Sequence, residues 1–336
     1  MIHSKKIIPI LMSADHKYMR YLWVAISSML ANKNIDTSYL VYILTPKPYP
    51  NKVLKHFDIL QQSYSGVEFE FVLMGDLFND QVCSSSILPS PTFYYLKIAD
   101  IISNYDKAIY LDPDIIVCKD LTRLFELDLK DNYVAGVKAA GYIADENYGK
   151  FIGGLPMDQY INANSLVFNL KKIREDGLTR KFIALAQRKY PSMDQDVLNI
   201  ACYDKILHIP FAFNLMTKYL PINGNGRYSK ESLIDVYGEN DLIDADNDPV
   251  VIHYADVGRK PWHMHTEKDY YWWRYALTSP WRVRFVLEYI LHQCIQCMKS
   301  CCSVNKKTIN GQKCKKYNIL GIRFTKYKKL YKEERE

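Results

Sequence analysis

Two carboxylates, Asp112 and Asp114, flank a proline in the stretch AIYLDPDIIV at residues 108–117. They follow an apolar run that reads as a buried strand. Side chains two apart on an extended chain project to one side. Pro113 removes a ladder donor, so strand pairing loosens or ends there. Two hard oxygen donors suit a divalent cation such as Mn²⁺ or Mg²⁺, and such a cation suits a diphosphate. The same triplet is also ordinary turn chemistry, because Asp and Pro favour turns.

Two other segments add chemistry. His253 ends a second apolar run, Val250-Val251-Ile252, and Lys260-Pro261-Trp262 lies just beyond. A histidine there completes an Asp/Asp/His metal site, with a lysine aimed at phosphate, or it is simply a structural core histidine. Asp194-Gln195-Asp196 opens a predicted helix over 194–203, where acidic groups also serve as caps and dipole partners. Asn162-Ala163 leads into another strand region.

These residues need a scaffold. Short apolar runs at 7–13, 39–44, 67–73, 108–111 and 115–117 read as strands. Helical spacing over 18–31, 51–64 and 92–103 predicts helices between them. Strands alternating with helices predict an α/β fold, a mostly parallel sheet covered on both faces. Such sheets bind ligands beyond the carboxyl ends of their strands. Residues 133–137, 165–169 and 250–254 read as further strands. The stretches 141–158 and 214–249, rich in Gly, Asn and Asp, read as loops.

The chain has 336 residues, 48% hydrophobic and 24% charged, which is a globular composition. Its net charge of +7 hides an asymmetry: residues 281–336 hold 14 Lys and Arg against 4 Asp and Glu, leaving 30 against 33 in residues 1–280. A uniformly basic nucleic-acid binder is therefore disfavoured, and no nucleic acid is expected as a partner. The organisation expected is a body over 1–278 and a basic, aromatic tail over 279–336. The tail begins with an amphipathic helix. Phe285, Tyr289, Ile290, Cys294, Cys297, Met298 and Cys301 are expected on one side, and Arg284, Glu288, His292, Gln296 and Lys299 on the other. Such a tail suits an anionic membrane surface, or packs on its own domain and leaves a solvated basic end. No signal peptide and no membrane span is expected, so the expected location is cytoplasmic and peripheral on the inner face of the membrane. Five of the eight cysteines lie in the tail. They read as reduced thiols, because Cys294-x-x-Cys297 and Cys301-Cys302 lack a clean second half of a zinc site.

In this order the segments resemble glycosyltransferase family 8, retaining enzymes that include bacterial lipopolysaccharide galactosyl- and glucosyltransferases and glycogenin. The resemblance covers roughly residues 7–265. It rests on Ser13-Ala14-Asp15 with Tyr18, Asp112-Pro113-Asp114, Asn162-Ala163, Asp194-Gln195-Asp196, and His253-Tyr254 before Lys260-Pro261-Trp262. It implies a GT-A fold, a UDP-sugar donor such as UDP-galactose or UDP-glucose, and Mn²⁺ or Mg²⁺. It further implies an oligosaccharide or glycolipid acceptor, such as lipopolysaccharide core. Carried over by position, Ala14, Asp15 and Tyr18 meet the nucleotide. Asp112, Asp114 and His253 hold the metal, with Asp112 also against the donor. Lys260 steadies the diphosphate, Asn162 and Ala163 contact the donor sugar, and Asp194 and Gln195 stand beside the reacting carbon. Three positions depart from the family: Tyr95 where an arginine is common, Asn164 where glycine is usual, and Lys17 where asparagine is frequent. These departures leave room for an alternative, a sugar-nucleotide-binding or scaffold protein of weak activity on the same fold.

Overall fold

The structure, a computed structural model, describes residues 6–78, 90–221, 227–256, 258–309, 312–319 and 322–327. Its centre is a seven-stranded sheet in the order β3-β2-β1-β4-β7-β6-β8. The strands are β1 (Lys6–Ser13), β2 (Thr37–Thr45), β3 (Val67–Leu73), β4 (Lys107–Tyr110), β6 (Val134–Gly136), β7 (Leu166–Asn169) and β8 (Ile206–His208). Only β7 runs against the rest, pairing antiparallel with both β4 and β6. The sheet is thus mixed and mostly parallel, as expected. A second sheet of three short strands joins β5 (Ile115–Val117), β10 (Val251–His253) and β9 (Leu215–Met216).

Burial on both faces explains why β1 and β2 read as continuous apolar runs. Ile8, Ile10 and Met12 face one layer, with Met29 and the other buried apolar residues of helix Met19–Ala31. Leu11, Tyr42, Leu44 and Tyr110 face the other, against Phe93, Tyr94, Tyr95 and Phe168. That second layer covers the strand ends from which the candidate residues emerge.

Several expectations are corrected. Residues 141–158 are not one loop. Helices Ala140–Ile143 and Glu146–Phe151 and a 3-10 turn Met157–Gln159 occupy the region, and the Asp145 carboxylate caps the second helix through the N–H groups of Asn147 and Tyr148. Likewise 214–249 contains helices Lys230–Tyr237 and Glu239–Asn247, the first capped by Ser229 and the two joined at Gly238, φ +81°. Good caps offset a composition that otherwise signals turns. The helix expected over 92–103 is a 3-10 segment, Ser90–Lys97, continuing as helix Ile98–Ile101.

At the C-terminal end, the expected helix forms as Arg282–Cys301, and it is followed by an antiparallel meander, β11 (Cys302–Ile309), β12 (Gln312–Ile319) and β13 (Ile322–Tyr327). The expected single apolar side is also corrected. Phe285 is buried against the body and Tyr289 is half-buried, whereas Ile290, Cys294, Cys297 and Met298 are exposed. Five helical positions separate Phe285 from Ile290, about 140° around the axis, so they cannot share a face. No helix among the described residues is long and apolar enough to cross a membrane.

Candidate metal and donor site

Strand register brings the site together. β5 pairs antiparallel with β10, with His253 opposite Ile115, and the Tyr254 N–H donates to the Asp114 carbonyl at 3.1 Å. A histidine far along the chain therefore lands beside Asp114. β4 pairs with β7, Tyr110 opposite Leu166. Continued by two residues, that register sets Asp112 opposite Asn164, whose Oδ1 accepts the Asp112 N–H at 2.9 Å.

Asp112, Asp114 and His253 each present a ligand atom, and these atoms lie within 4.8 Å of one another. Two carboxylate oxygens and an imidazole nitrogen fit a hard to borderline divalent ion such as Mn²⁺ or Mg²⁺. The His253 ring is buried, and its Nδ1 lies 3.0 Å from Asn214 Oδ1. An amide oxygen only accepts, so Nδ1 carries the proton and donates to it. That leaves the Nε2 lone pair facing Asp114 Oδ1, 3.5 Å away. A fixed tautomer with the free nitrogen turned inward is what a metal-binding histidine requires. Burial lowers the His253 pKa, which keeps the ring neutral.

The two carboxylates are not alike. Burial, then the charge of Asp114, pushes Asp112 up to about 7. Its Oδ1 accepts the Tyr110 hydroxyl at 2.5 Å. Burial would also raise Asp114, but the Lys260 ammonium outweighs it and holds that carboxyl well below the usual range. Lys260 Nζ is 2.5 Å from Asp114 Oδ2 and donates to the Tyr254 carbonyl at 2.6 Å. A buried lysine tied to a carboxylate and a carbonyl is a cation held at the cluster.

At the carboxyl end of β1, Tyr49 donates to the Ala14 carbonyl at 2.8 Å. Asp15 Oδ1 accepts the N–H groups of Lys17 and Tyr18 at 2.9 and 2.8 Å, which turns the chain into helix Met19–Ala31. Burial, then the charges of Asp114 and others including Asp15 and Asp112, raises the Tyr18 phenol, so it stays protonated and faces the acidic cluster.

Gln195 lies in helix Met193–Cys202. Its Oε1 accepts from Asn162 Nδ2 at 2.8 Å and from the Ala163 N–H at 3.1 Å. Its Nε2 donates to Tyr160 Oη at 3.3 Å, and the Tyr160 hydroxyl donates to Asp196 at 2.5 Å. Asn214 Nδ2 donates to Asn162 Oδ1 at 2.9 Å. A chain of polar contacts thus runs from Asp114 through His253, Asn214 and Asn162 to Gln195. Asp194 is buried next to this chain, and burial, then Asp112, raises its carboxyl well above the usual range.

The candidate site residues thus sit at the ends of β1, β4 and β10, just before β7, or on helix Met193–Cys202. Asn214, Tyr160 and Tyr148 were missed. Asn214 ends a 3-10 turn, Phe211–Asn214, inside a stretch read as loop, and no sequence signal marks it. The departures also acquire roles. The Tyr95 hydroxyl donates to the Asp194 carbonyl at 3.1 Å from a fully buried position. Asn164, also fully buried, holds the N–H groups of both Asp112 and Ser165, and the positive φ of +52° falls on Ser165.

A family model described as glycosyl transferase family 8 matches residues 9–266. Glycosyltransferase GlyE of Streptococcus pneumoniae is 27% identical over 282 residues, covering 82% of this chain and 62% of GlyE. The chain therefore spans less than two thirds of that relative. Lipopolysaccharide 1,2-glucosyltransferase of Escherichia coli is 27% identical over 292 residues, covering 80% of this chain and 77% of the relative. The fold matches a crystal structure of galactosyltransferase LgtC in complex with donor and acceptor sugar analogs, at TM-score 0.67 and 24% identity, over 82% of this chain and all of that one. With the family model spanning most of the chain, the protein belongs to glycosyltransferase family 8 and has the GT-A fold.

Proposed function

We propose that this protein transfers a hexose, galactose or glucose, from a UDP-sugar to a saccharide acceptor with retention, using Mn²⁺ or Mg²⁺. The observation that carries the reading is the Asp112, Asp114 and His253 cluster, with Lys260 on one side and a continuous polar chain to Gln195 on the other. When bound, the ion would neutralise charge on the departing diphosphate. Lys260 would turn its ammonium from Asp114 toward the diphosphate and stabilise the leaving group. Ala14, Asp15 and Tyr18 would hold the nucleoside. Asn162, Ala163, Asp194 and Gln195 would hold the sugar as the anomeric carbon gains oxocarbenium character. Both acceptor sites of Gln195 Oε1 are already engaged by Asn162 and Ala163. That favours a same-face route through a short-lived ion pair over covalent attack by the amide.

The name of the Escherichia coli relative supports lipopolysaccharide core or another surface glycan as the acceptor. A glycolipid acceptor also gives the C-terminal segment a use. We assign residues 1–278 to the catalytic body and 279–336 to attachment at the inner face of the membrane. Val283, Leu287, Ile290, Leu291 and Met298 form an exposed apolar stripe on helix Arg282–Cys301, next to the strongly basic end of the chain. Apolar insertion together with basic charge suits an anionic leaflet.

The test is UDP release from a panel of UDP-sugars by the full chain, with Mn²⁺ and with EDTA. Release from one sugar, abolished by EDTA and by Asp112→Asn, is expected. UDP bound without release across donors and acceptors would favour the weak or scaffold alternative. For attachment, co-sedimentation with anionic vesicles should be lost in a Leu287→Ser, Ile290→Ser, Leu291→Ser variant. Unchanged sedimentation would remove the helix from that role.

A further inference from the structure

Lys218 is a cation that the reaction above does not use. It lies in the turn Thr217–Tyr219, directly after β9, whose Met216 pairs with His253. Its Nζ stands over two aromatic rings, 5.1 Å from the Tyr219 centroid and 5.7 Å from the Tyr142 centroid. Both rings are anchored. The Tyr219 Oη accepts the Gly141 N–H at 2.9 Å. Tyr142 accepts from Ser192 at 2.9 Å and stacks on Tyr160, the residue that touches Gln195. Lys218 is therefore set between the His253 end and the Gln195 end of the site.

Its charge is poorly compensated. The carboxylate that favours it is Asp256, but Asp256 is already engaged by Arg227 at 3.4 Å. Arg227 and Lys260 add like charge. Among the described residues no carboxylate lies within ion-pair distance of Lys218. Burial, with those like charges, lowers its ammonium to about 8. Ring faces steady a cation but do not neutralise it. A half-buried cation of this kind is completed by an anion that arrives from outside. The donor diphosphate already has Lys260 and the metal ligands on its side of the cluster. Lys218 lies among Asp256, Arg227, Lys260 and His253, and through the Tyr142–Tyr160 stack it stands on the Gln195 side, where the sugar and its acceptor would meet.

We propose that Lys218 receives an anionic substituent, a phosphate or a carboxylate, on the acceptor, so that the preferred acceptor is an acidic saccharide. This rests on the transferase reading for the word acceptor, but the site itself can be tested without turnover. With the full chain saturated by UDP and Mn²⁺, three probes are titrated: glucose 6-phosphate, glucuronate and methyl glucoside. At least one acidic probe should bind roughly tenfold more tightly than the neutral one, as expected for a charge-assisted contact. The two acidic probes separate phosphate from carboxylate. Lys218→Gln should bring the acidic probes to the level of the neutral one, and Lys218→Arg should keep the preference. UDP affinity should be unchanged in both variants, which also reports that they fold. Equal binding of all three probes to the unaltered protein would overturn the proposal. So would a preference that survives Lys218→Gln, or a fall in UDP affinity that assigns Lys218 to the donor. Failure of the transferase reading would show differently, as absence of UDP binding by the unaltered protein.

Discussion

The two halves of the site hold their residues by different means. On the metal side, Asp112, Asp114 and Lys260 meet as charges around the neutral ring of His253, and their arrangement is tense. Asp112 is raised by its neighbour, while Asp114 keeps its charge through Lys260. On the sugar side, Gln195, Asn162, Asn214 and Tyr160 meet as amides and a phenol, with donors matched to acceptors. In the proposed reaction the charged half would exchange partners when ion and diphosphate arrive. The neutral half is already satisfied and works as a fixed template. Unmatched charge is a common mark of a functional site, and a satisfied buried network a mark of rigidity.

The sharpest test sets the two carboxylates against each other. Asp112→Asn and Asp114→Asn should each lower metal-dependent sugar transfer by about 10³-fold, since each removes a ligand and a charge at the leaving group. Their effects on the metal-free fold should have opposite signs. A carboxyl raised in the folded state loses stability as pH climbs through its folded value, so at pH 8 the Asp112 charge costs the fold. Asp112→Asn should therefore stabilise the protein in EDTA by about 1 kcal/mol. Asp114→Asn leaves Lys260 buried without its carboxylate and should destabilise it by about 3 kcal/mol. Thermal unfolding in EDTA at pH 8 reads both. Shifts of the same sign would mean that the two acids share one environment, and the contrast would fail.

Asn214 tests the seam, because it touches His253 on one side and Asn162 on the other. Asn214→Ala should weaken Mn²⁺ binding by 10- to 100-fold, the usual cost of losing the partner that orients a metal-binding histidine, at about that order. A metal titration measures it. Unchanged affinity would mean that packing alone orients the ring. Asn164→Gly restores the residue common in the family and removes the acceptor for the Asp112 and Ser165 N–H groups. The expected cost is about 1–2 kcal/mol in stability, with a severalfold loss in Mn²⁺ affinity. A neutral outcome would show that a glycine backbone with water serves as well.

This contrast also explains what the sequence reveals. The charged half is legible, because Asp, His and Lys at strand ends carry their chemistry in their identity. Asp112-Pro113-Asp114 and His253 stand out even though β5 and β10 are three residues long. The neutral half is mostly silent. An asparagine such as Asn214 looks like any turn residue until β9 and β10 are paired, since its partners lie 39 and 52 positions away. Tyrosines fare no better, because Tyr148 and Tyr160 gain meaning only when both reach Asp196. The same limit applies to the fold. The first three parallel strands and their helices follow from local periodicity, whereas β7 reverses direction and β8 was overlooked, both decided by pairing across the sheet. In helix Arg282–Cys301 the amphipathic pattern is visible, but which face meets the body depends on Tyr21, Trp272 and the Arg20 contact to Glu288.

Tyr160→Phe should give the smallest effect, and it bears most directly on whether the neutral half is a rigid template. The substitution deletes one hydroxyl, which serves Asp196 as donor and Gln195 as acceptor. Asp196 keeps the Tyr148 hydroxyl at 2.8 Å and the Ser192 N–H at 2.8 Å. Gln195 keeps Asn162 and the Ala163 N–H on its oxygen and loses only the contact at its nitrogen. The fold should lose about 1 kcal/mol, and sugar transfer should fall less than about tenfold. If stability falls while kcat holds, the amide is positioned by redundant contacts. If kcat collapses while stability and Mn²⁺ affinity hold, the position of Gln195 rests on a single hydroxyl. The neutral half would then be as finely poised as the charged one, with hydrogen bonds in place of charge.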